Sequence, residues 1–114
     1  DAVIAWITAA HLKSNAISIV DNGVLIGGGM GQVDRVSAAR LAVQRAADSL
    51  PSAQSPVAGS DAFFPFADGP ELLIEAGIRC IVQPGGSKRD SDIIELCDLR
   101  EVTLLHTGTR RFRH

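Results

Sequence analysis

The sequence has no apolar run long enough to cross a bilayer and no strong charge of either sign. A membrane-spanning helix needs about 20 apolar residues in a row, and the formal net charge of the 114 residues is −2. We therefore expect neither a membrane nor a nucleic acid among the partners. The apolar fraction of 46% and the charged fraction of 21% are typical of a soluble globular protein, and the length predicts one domain, residues 1–114.

Cysteine is also scarce. Cys80 and Cys97 both have apolar neighbours, and they do not form a CxxC pair. This pattern favours two buried free thiols in a reducing compartment over a disulfide or a metal pair. We therefore expect a cytoplasmic protein.

Aromatic residues are few, and their clustering is the most informative feature of the chain. There is no Tyr, and three of the four Phe residues fall within residues 63–66. The segment Gly59–Gly69 also holds two Asp and two Gly. Its spacing fits neither a helix nor a strand, and Pro65 would block both. We predict an ordered loop that holds aromatic faces and carboxylates together, as in pockets for flat, polar ligands.

Apolar periodicity and turn residues predict the element order α-β-β-α-β-α-β-α-β. The Asn22–Gly23 pair between the first two strands indicates a tight hairpin, and Asp34 is suited to cap the second helix. The predicted helices cover residues 2–13, 35–49, 70–76 and 90–100, and the predicted strands 15–20, 24–26, 57–60, 78–83 and 102–106. The core face predicted for the second helix consists of Val36, Ala39, Val43, Ala46 and Leu50. This order implies a three-layer α/β/α fold with a mixed, mostly parallel five-stranded sheet and an antiparallel hairpin edge.

Three further patterns leave their chemistry open. Gly27, Gly29 and Gly31 follow a strand and precede a helix, which suits a phosphate cradle or a close approach of two backbones. The segment Pro84–Ser87 suits an anion-binding loop, although a plain turn is the favoured interpretation. Asp61 and Asp68 could form a glycosidase-type carboxylate pair, but their spacing in the sequence does not predict how far apart the two carboxylates lie.

The end of the chain is rich in arginine. Arg110, Arg111 and Arg113 suit a solvated tail, but Phe112 among them argues for a packed terminus that presents Arg to an anion. His106 is predicted to end the last strand. Asn15 lies between the first predicted helix and the first predicted strand, and its simplest interpretation is a turn-forming residue.

The layout of hairpin, helix and alternating strands resembles the cytidine deaminase fold. The zinc deaminases of that fold hold their metal with H-x-E and P-C-x-x-C motifs, and neither motif occurs here. We therefore expect no catalytic metal.

Five segments resemble a more specific family, the bifunctional purine biosynthesis proteins. They are Lys13–Ile17, Gly29–Arg35, Ser60–Asp68, Gln83–Ser87 and Arg110–His114. The resemblance covers essentially the whole chain, with the motifs in the right order, and points to the C-terminal end of the AICAR transformylase half. That region is built of two cytidine-deaminase-like units, and this chain resembles most of the second.

The resemblance implies an enzyme that transfers a formyl group from 10-formyltetrahydrofolate to AICAR. A separate N-terminal domain of such proteins closes the ring to IMP. The general base is a Lys-His pair of the first unit, and no Lys-His dipeptide occurs in this sequence, so the chain alone is expected to be inactive. Its start at Asp1, without Met and inside a predicted helix, also suggests a segment of a longer chain. The implied partners are AICAR, folate, the rest of the parent chain and the second subunit of a homodimer.

The resemblance also assigns roles to single residues. Asn15 and His114 would assist catalysis, and Asn15 would hold the AICAR carboxamide or the transferring formyl group. Arg110 would bind the AICAR phosphate. The full implied AICAR set is Asn15, Arg35, Phe63, Arg110 and His114, and the folate set is Phe63, Pro65, Phe66 and Asp68, with Asp68 bonded to the pterin donors. Some members place a structural potassium ion near the residue that corresponds to Asp61.

The chain departs from the family pattern at Gly27–Met30, at Val33–Asp34 and at Ala67, where a basic residue is common. The first two departures weaken the role implied for Arg35, and the third removes a charge from the folate loop. The alternative to an enzyme segment is a non-catalytic, cytidine-deaminase-like module that binds a nucleotide or a partner. A Lys-His motif in the upstream sequence would decide between the two.

Overall fold

A computed structural model describes residues 1–108, and its elements follow the predicted order. The helices are α1 (Ala2–His11), α2 (Arg35–Ala46), α3 (Asp68–Glu75) and α4 (Asp90–Leu99), and a short 3-10 turn spans Leu50–Ser52. The strands are β1 (Ile17–Asp21), β2 (Val24–Gly29), β3 (Val57–Ser60), β4 (Cys80–Gln83) and β5 (Thr103–His106). None of the helices in these residues has the length and apolar character that a bilayer crossing requires.

The strands form one five-stranded sheet in the order β2-β1-β3-β4-β5. β1 is antiparallel to both of its neighbours, whereas β3, β4 and β5 are mutually parallel. Four of the five strands therefore run in one direction, with the hairpin at an edge, which confirms the predicted mixed sheet. Asn22 and Gly23 both have positive φ, of 50° and 78°, as a two-residue hairpin turn requires.

Helices cover both faces of the sheet. Neighbouring residues of a strand point to opposite faces, and β3 shows which helix lies on each side. A Cβ on Gly59 would lie 2.3 Å from the carbonyl oxygen of Ala5 in α1. Ala58 instead belongs to the main core, together with Ala38 of α2, Leu73 of α3 and Ile93 of α4. One face therefore carries α1, and the other carries α2, α3 and α4.

The N-terminus of α2 is capped as predicted, and its buried face was predicted in part. Asp34 Oδ1 accepts a hydrogen bond from the Ser37 N–H at 2.7 Å, and this bond lowers the pKa of Asp34. The residues that α2 buries are Arg35, Ala38, Ala39, Ala42 and Ala46. Ala39 and Ala46 are thus buried as predicted. Val43 and Leu50, which lies in the 3-10 turn beyond the helix, are partly buried against the same core, whereas Val36 is only half-buried. The alanines face inward because the strand opposite them has room only for small side chains.

That strand is β2, and its glycines explain the close packing. A Cβ on Gly29 would lie 2.0 Å from the carbonyl oxygen of Ala38, and a Cβ on Gly27 would lie 2.4 Å from that of Ala42. No side chain fits in such a space. The structure thus favours helix packing over a phosphate cradle as the reason for these two glycines.

The two cysteines are free, but only one is fully buried. Cys97 is buried and Cys80 is half-buried, so the prediction of two buried thiols is right for Cys97 alone. Burial raises the pKa of Cys97 to about 11 and raises that of Cys80 as well. Both therefore remain thiols at neutral pH, and neither is an activated nucleophile.

Candidate functional site

The loop between β3 and α3, residues 61–67, runs beside the start of α2; we call it the Phe loop. A cavity of about 250 Å³ lies between the two and is lined by Asp34, Arg35, Val36, Phe64, Pro65, Phe66 and Asp68. Four residues that the sequence assigned to ligands, Arg35, Pro65, Phe66 and Asp68, are therefore neighbours. Phe63 is half-buried and is not among the lining residues.

The three Phe side chains of the loop have different environments. Phe64 is 1% exposed and belongs to the main core, so it anchors the loop and does not present a free aromatic face. Phe66 is 54% exposed, and the Arg89 guanidinium lies 5.5 Å from the centre of its ring. The prediction of an ordered loop with an aromatic face is confirmed, but Phe66 supplies that face. Asp68 and Gly69, predicted as loop residues, begin α3.

A buried polar cluster lies next to the cavity. Asp61 is fully buried, and both of its carboxylate oxygens accept hydrogen bonds. Oδ2 accepts from the Ser14 hydroxyl at 2.6 Å, and Oδ1 accepts from the Ala16 N–H at 3.2 Å and from Arg35 Nη1. Because Asp61 and Arg35 also form an ion pair, the buried carboxylate is electrically compensated.

Asn15 joins this cluster through the other side of the guanidinium. Its Oδ1 accepts from Arg35 Nη2 at 2.9 Å, and its Nδ2 donates to the Gln32 carbonyl at 2.9 Å. The orientation of the amide is thereby determined, since a guanidinium only donates. Asn15 and Arg35, two of the five residues that the resemblance assigned to AICAR, are therefore in direct contact.

Arg35 is the centre of the cluster and is only 7% exposed. Burial lowers the pKa of its guanidinium, and the charge of Asp61 opposes that shift; an Arg side chain nevertheless stays protonated at neutral pH. Its Nε atom is buried and has no hydrogen-bond partner among residues 1–108. Arg35 therefore lines the cavity as a fixed positive charge that is held from behind by Asp61.

The surroundings of Asp61 do not fit the potassium ion implied by the resemblance. Its carboxylate already accepts three hydrogen bonds and already neutralises Arg35. A second cation on the same carboxylate would lie beside a like charge. Pairing with Arg35 also argues against a joint acid–base role with Asp68, which is exposed at the start of α3.

Two of the predicted ligand residues, Arg110 and His114, lie outside the described residues. Two features of the site escaped the sequence analysis. One is the pairing of Arg35 with Asp61, for which spacing gives no signal. The other is Gln83, which is fully buried at the end of β4 and accepts a hydrogen bond from the Phe64 N–H at 2.9 Å. Gln83 was part of a resembling segment, but nothing in the sequence indicated that it supports the Phe loop.

Comparison with known proteins shows which proteins this chain is similar to. The family model "AICARFT/IMPCHase bienzyme" matches residues 1–45. Over all 114 residues, the chain is 54% identical to the bifunctional purine biosynthesis protein PurH of Corynebacterium glutamicum (strain R) and 53% identical to that of Cutibacterium acnes. The chain is therefore similar to PurH proteins over its whole length. It spans 22% of the length of each of these relatives.

Solved structures confirm the fold. The dCMP deaminase of cyanophage S-TIM5 matches with a TM-score of 0.58 and 15% identity, over 81% of this chain and 79% of the deaminase. RibD of Acinetobacter baumannii matches with a TM-score of 0.64 and 15% identity, over 92% of this chain and 32% of RibD. At this identity the likeness concerns the fold alone, which is cytidine-deaminase-like, as predicted.

Proposed function

We propose that this chain forms part of an AICAR formyltransferase site in purine biosynthesis. The reaction moves the formyl group of 10-formyltetrahydrofolate to the 5-amino group of AICAR, and the parent protein would also carry IMP cyclohydrolase activity. The observation that supports this function best is the cavity beside α2, where Pro65, Phe66 and Asp68 meet Arg35.

The folate half of the proposal rests on the chemistry of the pterin. A pterin has two apolar faces and an edge that carries an amino group and ring N–H donors. The cavity offers the Phe66 ring and Pro65 as apolar surfaces and the Asp68 carboxylate as an acceptor. An apolar slot with one matching polar group is a common design for such ligands. Phe63, which the family resemblance adds to this set, would contact the ligand from outside the present lining.

The AICAR half rests on the polar cluster. Formyl transfer requires aligned reactants, a base and donors for the developing oxyanion. Asn15 and Arg35 hold each other at 2.9 Å, so their polar groups are oriented before a substrate arrives. From the family resemblance, Arg110 would bind the phosphate, His114 would assist, and the base would come from the part of the parent chain outside this sequence.

An apolar stripe on α1 could serve as a docking surface for the rest of the parent chain. Val3, Ile4 and Ile7 are 66%, 42% and 45% exposed, and α1 contains no Asp, Glu, Lys or Arg. Since the chain spans only 22% of its relatives, we propose that the rest of the parent chain covers this stripe. The resemblance adds that the protein is a homodimer, and the two free thiols favour a cytoplasmic location.

Replacing Asp68 with alanine in the full-length protein is expected to weaken folate binding selectively. A pterin donor edge left without its acceptor costs on the order of 1–3 kcal/mol, so the KM for 10-formyltetrahydrofolate should rise about 5- to 150-fold. The KM for AICAR should stay nearly constant. Glu71→Ala is the matched control, since Glu71 is also exposed in the first turn of α3. Equal rises in the KM values for the two substrates, or an effect of Glu71→Ala as large as that of Asp68→Ala, would contradict the proposed folate site.

Arg110→Ala is expected to act on the other substrate. An Arg–phosphate pair is charge-assisted and often bidentate, so the KM for AICAR should rise, the KM for folate should not, and Arg110→Lys should rescue only in part. The measurement compares AICAR with its dephosphorylated riboside as substrates of the full-length enzyme. If the variant keeps the wild-type preference for the phosphorylated form, Arg110 is not the phosphate anchor.

A further inference from the structure

Gln83 links three segments of the chain although it lies in the core. It is fully buried at the carboxyl end of β4. Its Oε1 accepts from the Phe64 N–H at 2.9 Å, and its Nε2 lies 3.1 Å from His106 Nε2, at the end of β5. The chain of contacts therefore runs from the Phe loop through Gln83 to the exposed edge strand of the sheet.

The direction of both hydrogen bonds follows from the chemistry of the groups. A backbone N–H only donates, so Gln83 must present its oxygen to Phe64 and its NH₂ group to His106. The NH₂ group only donates, so His106 Nε2 must accept, and the imidazole must be neutral with its proton on Nδ1. His106 thereby sets the orientation of an amide whose other end holds the Phe loop.

The Gln83 amide holds the Phe loop by the backbone of Phe64. Phe64 is the buried anchor of the loop, and the two residues that follow it, Pro65 and Phe66, line the cavity. A Cβ on Gly69 would lie 2.8 Å from the Phe64 ring, so the ring is also packed tightly against α3. The backbone of Phe64 therefore determines where Pro65 and Phe66 lie.

We propose that Gln83 and His106 are positioning residues for the folate site, with His106 acting through Gln83 and Gln83 acting through the Phe64 N–H. This inference rests on the proposed formyltransferase function, because it takes the cavity beside the Phe loop as the folate pocket. It assigns a role to two residues that are not among those lining the cavity beside the Phe loop.

The test uses the full-length enzyme with Gln83→Leu, His106→Leu and the double variant. Each single change should raise the KM for 10-formyltetrahydrofolate roughly tenfold or less and leave the KM for AICAR nearly constant. The double variant should be no worse than Gln83→Leu alone, because His106 acts through Gln83. His106→Gln, which keeps an oxygen acceptor near the amide, should restore most of the loss. His11→Leu is the control, since His11 is exposed at the end of α1.

A second readout does not depend on any substrate. Amide hydrogen exchange of the peptide that covers residues 61–67 should be faster in both Leu variants and close to wild type in His106→Gln. Unchanged exchange, additive effects of the two Leu changes, or equal rises of both KM values would overturn the inference. If Asp68→Ala is selective for folate and Gln83→Leu is not, only this inference fails; if Asp68→Ala is not selective, the proposed function fails as well.

Discussion

Replacing Asp61 with leucine should destabilise the chain by about 3–5 kcal/mol, because the change leaves the guanidinium of Arg35 buried without a counter-charge. Asp61 is fully buried and Arg35 is 7% exposed, so water cannot replace the lost partner. Ser14 and the Ala16 N–H would also lose their acceptor. Urea titrations of the wild-type chain and the variant measure the difference in unfolding free energy.

Two controls show whether the buried charge is the cause. Arg35→Met combined with Asp61→Leu removes both charges, and a buried pair replaced by apolar groups of similar size is often tolerated. We therefore expect the double variant to be more stable than Asp61→Leu alone. Asp92→Ala removes a partner of Arg89 from a surface pair at 3.7 Å, in which both side chains are more than half exposed, and should cost about 1 kcal/mol or less. A double variant that is less stable than Asp61→Leu would contradict this explanation.

Gly29→Ala should have an effect of similar size for a steric reason. The added Cβ would lie 2.0 Å from the Ala38 carbonyl oxygen and 3.0 Å from the Ala42 nitrogen. These are backbone atoms of α2, so relief requires the whole helix to move. Overpacking typically costs 1–3 kcal/mol, and a backbone clash of this kind should reach at least about 3 kcal/mol.

Gly28→Ala is the matched control in the same strand. Its Cβ would meet its nearest neighbour, Leu12 Cδ1, at 3.6 Å, which is ordinary contact, so the change should alter stability by less than about 1 kcal/mol. The same urea titrations compare the two variants. Equal losses of unfolding free energy in the two variants would show that α2 does not pack closely against Gly29. A phosphate cradle would then be the better explanation of the glycines.

The order of the elements was predictable because each one carries a local signal. Asn22 and Gly23 have the positive φ values that their residue types suggested, and Asp34 caps α2 through a bond within its own turn. Such interactions involve residues that are close in sequence. The fold class followed from the alternation of strands and helices after a hairpin.

The buried face of α2 was predicted only in part, because the periodicity of a helix carries no information about the surface against which the helix packs. Ala39 and Ala46 are buried as predicted, but Ala38 and Ala42 were not expected in the core. Val36 was predicted to be a core residue from its spacing, yet it is only half-buried. In the fold, the glycines of β2 bring the helix so close that alanines form the contact. The side chains best suited to the interface are therefore smaller than hydrophobicity suggests.

Only part of the site was predictable, because the composition of a segment does not show which of its side chains are buried or what they contact. The sequence identified the Phe loop by its composition, but a segment without a period gives no indication that Phe64 is buried while Phe66 is exposed. The pairing of Arg35 with Asp61 brings the start of α2 against the end of β3, 26 positions away in sequence. Only the three-dimensional arrangement of β1, β3 and α2 places those charges together.

A crystal structure of the full-length protein with AICAR and an unreactive reduced folate is the decisive measurement for the proposed function. We expect the pterin ring in the cavity against Pro65 and Phe66, with its amino group within hydrogen-bond distance of the Asp68 carboxylate. We expect AICAR beside Asn15 and Arg35. A pterin bound away from the Phe loop, with the cavity beside α2 empty or closed in the complex, would contradict the assignment of this chain to the folate site.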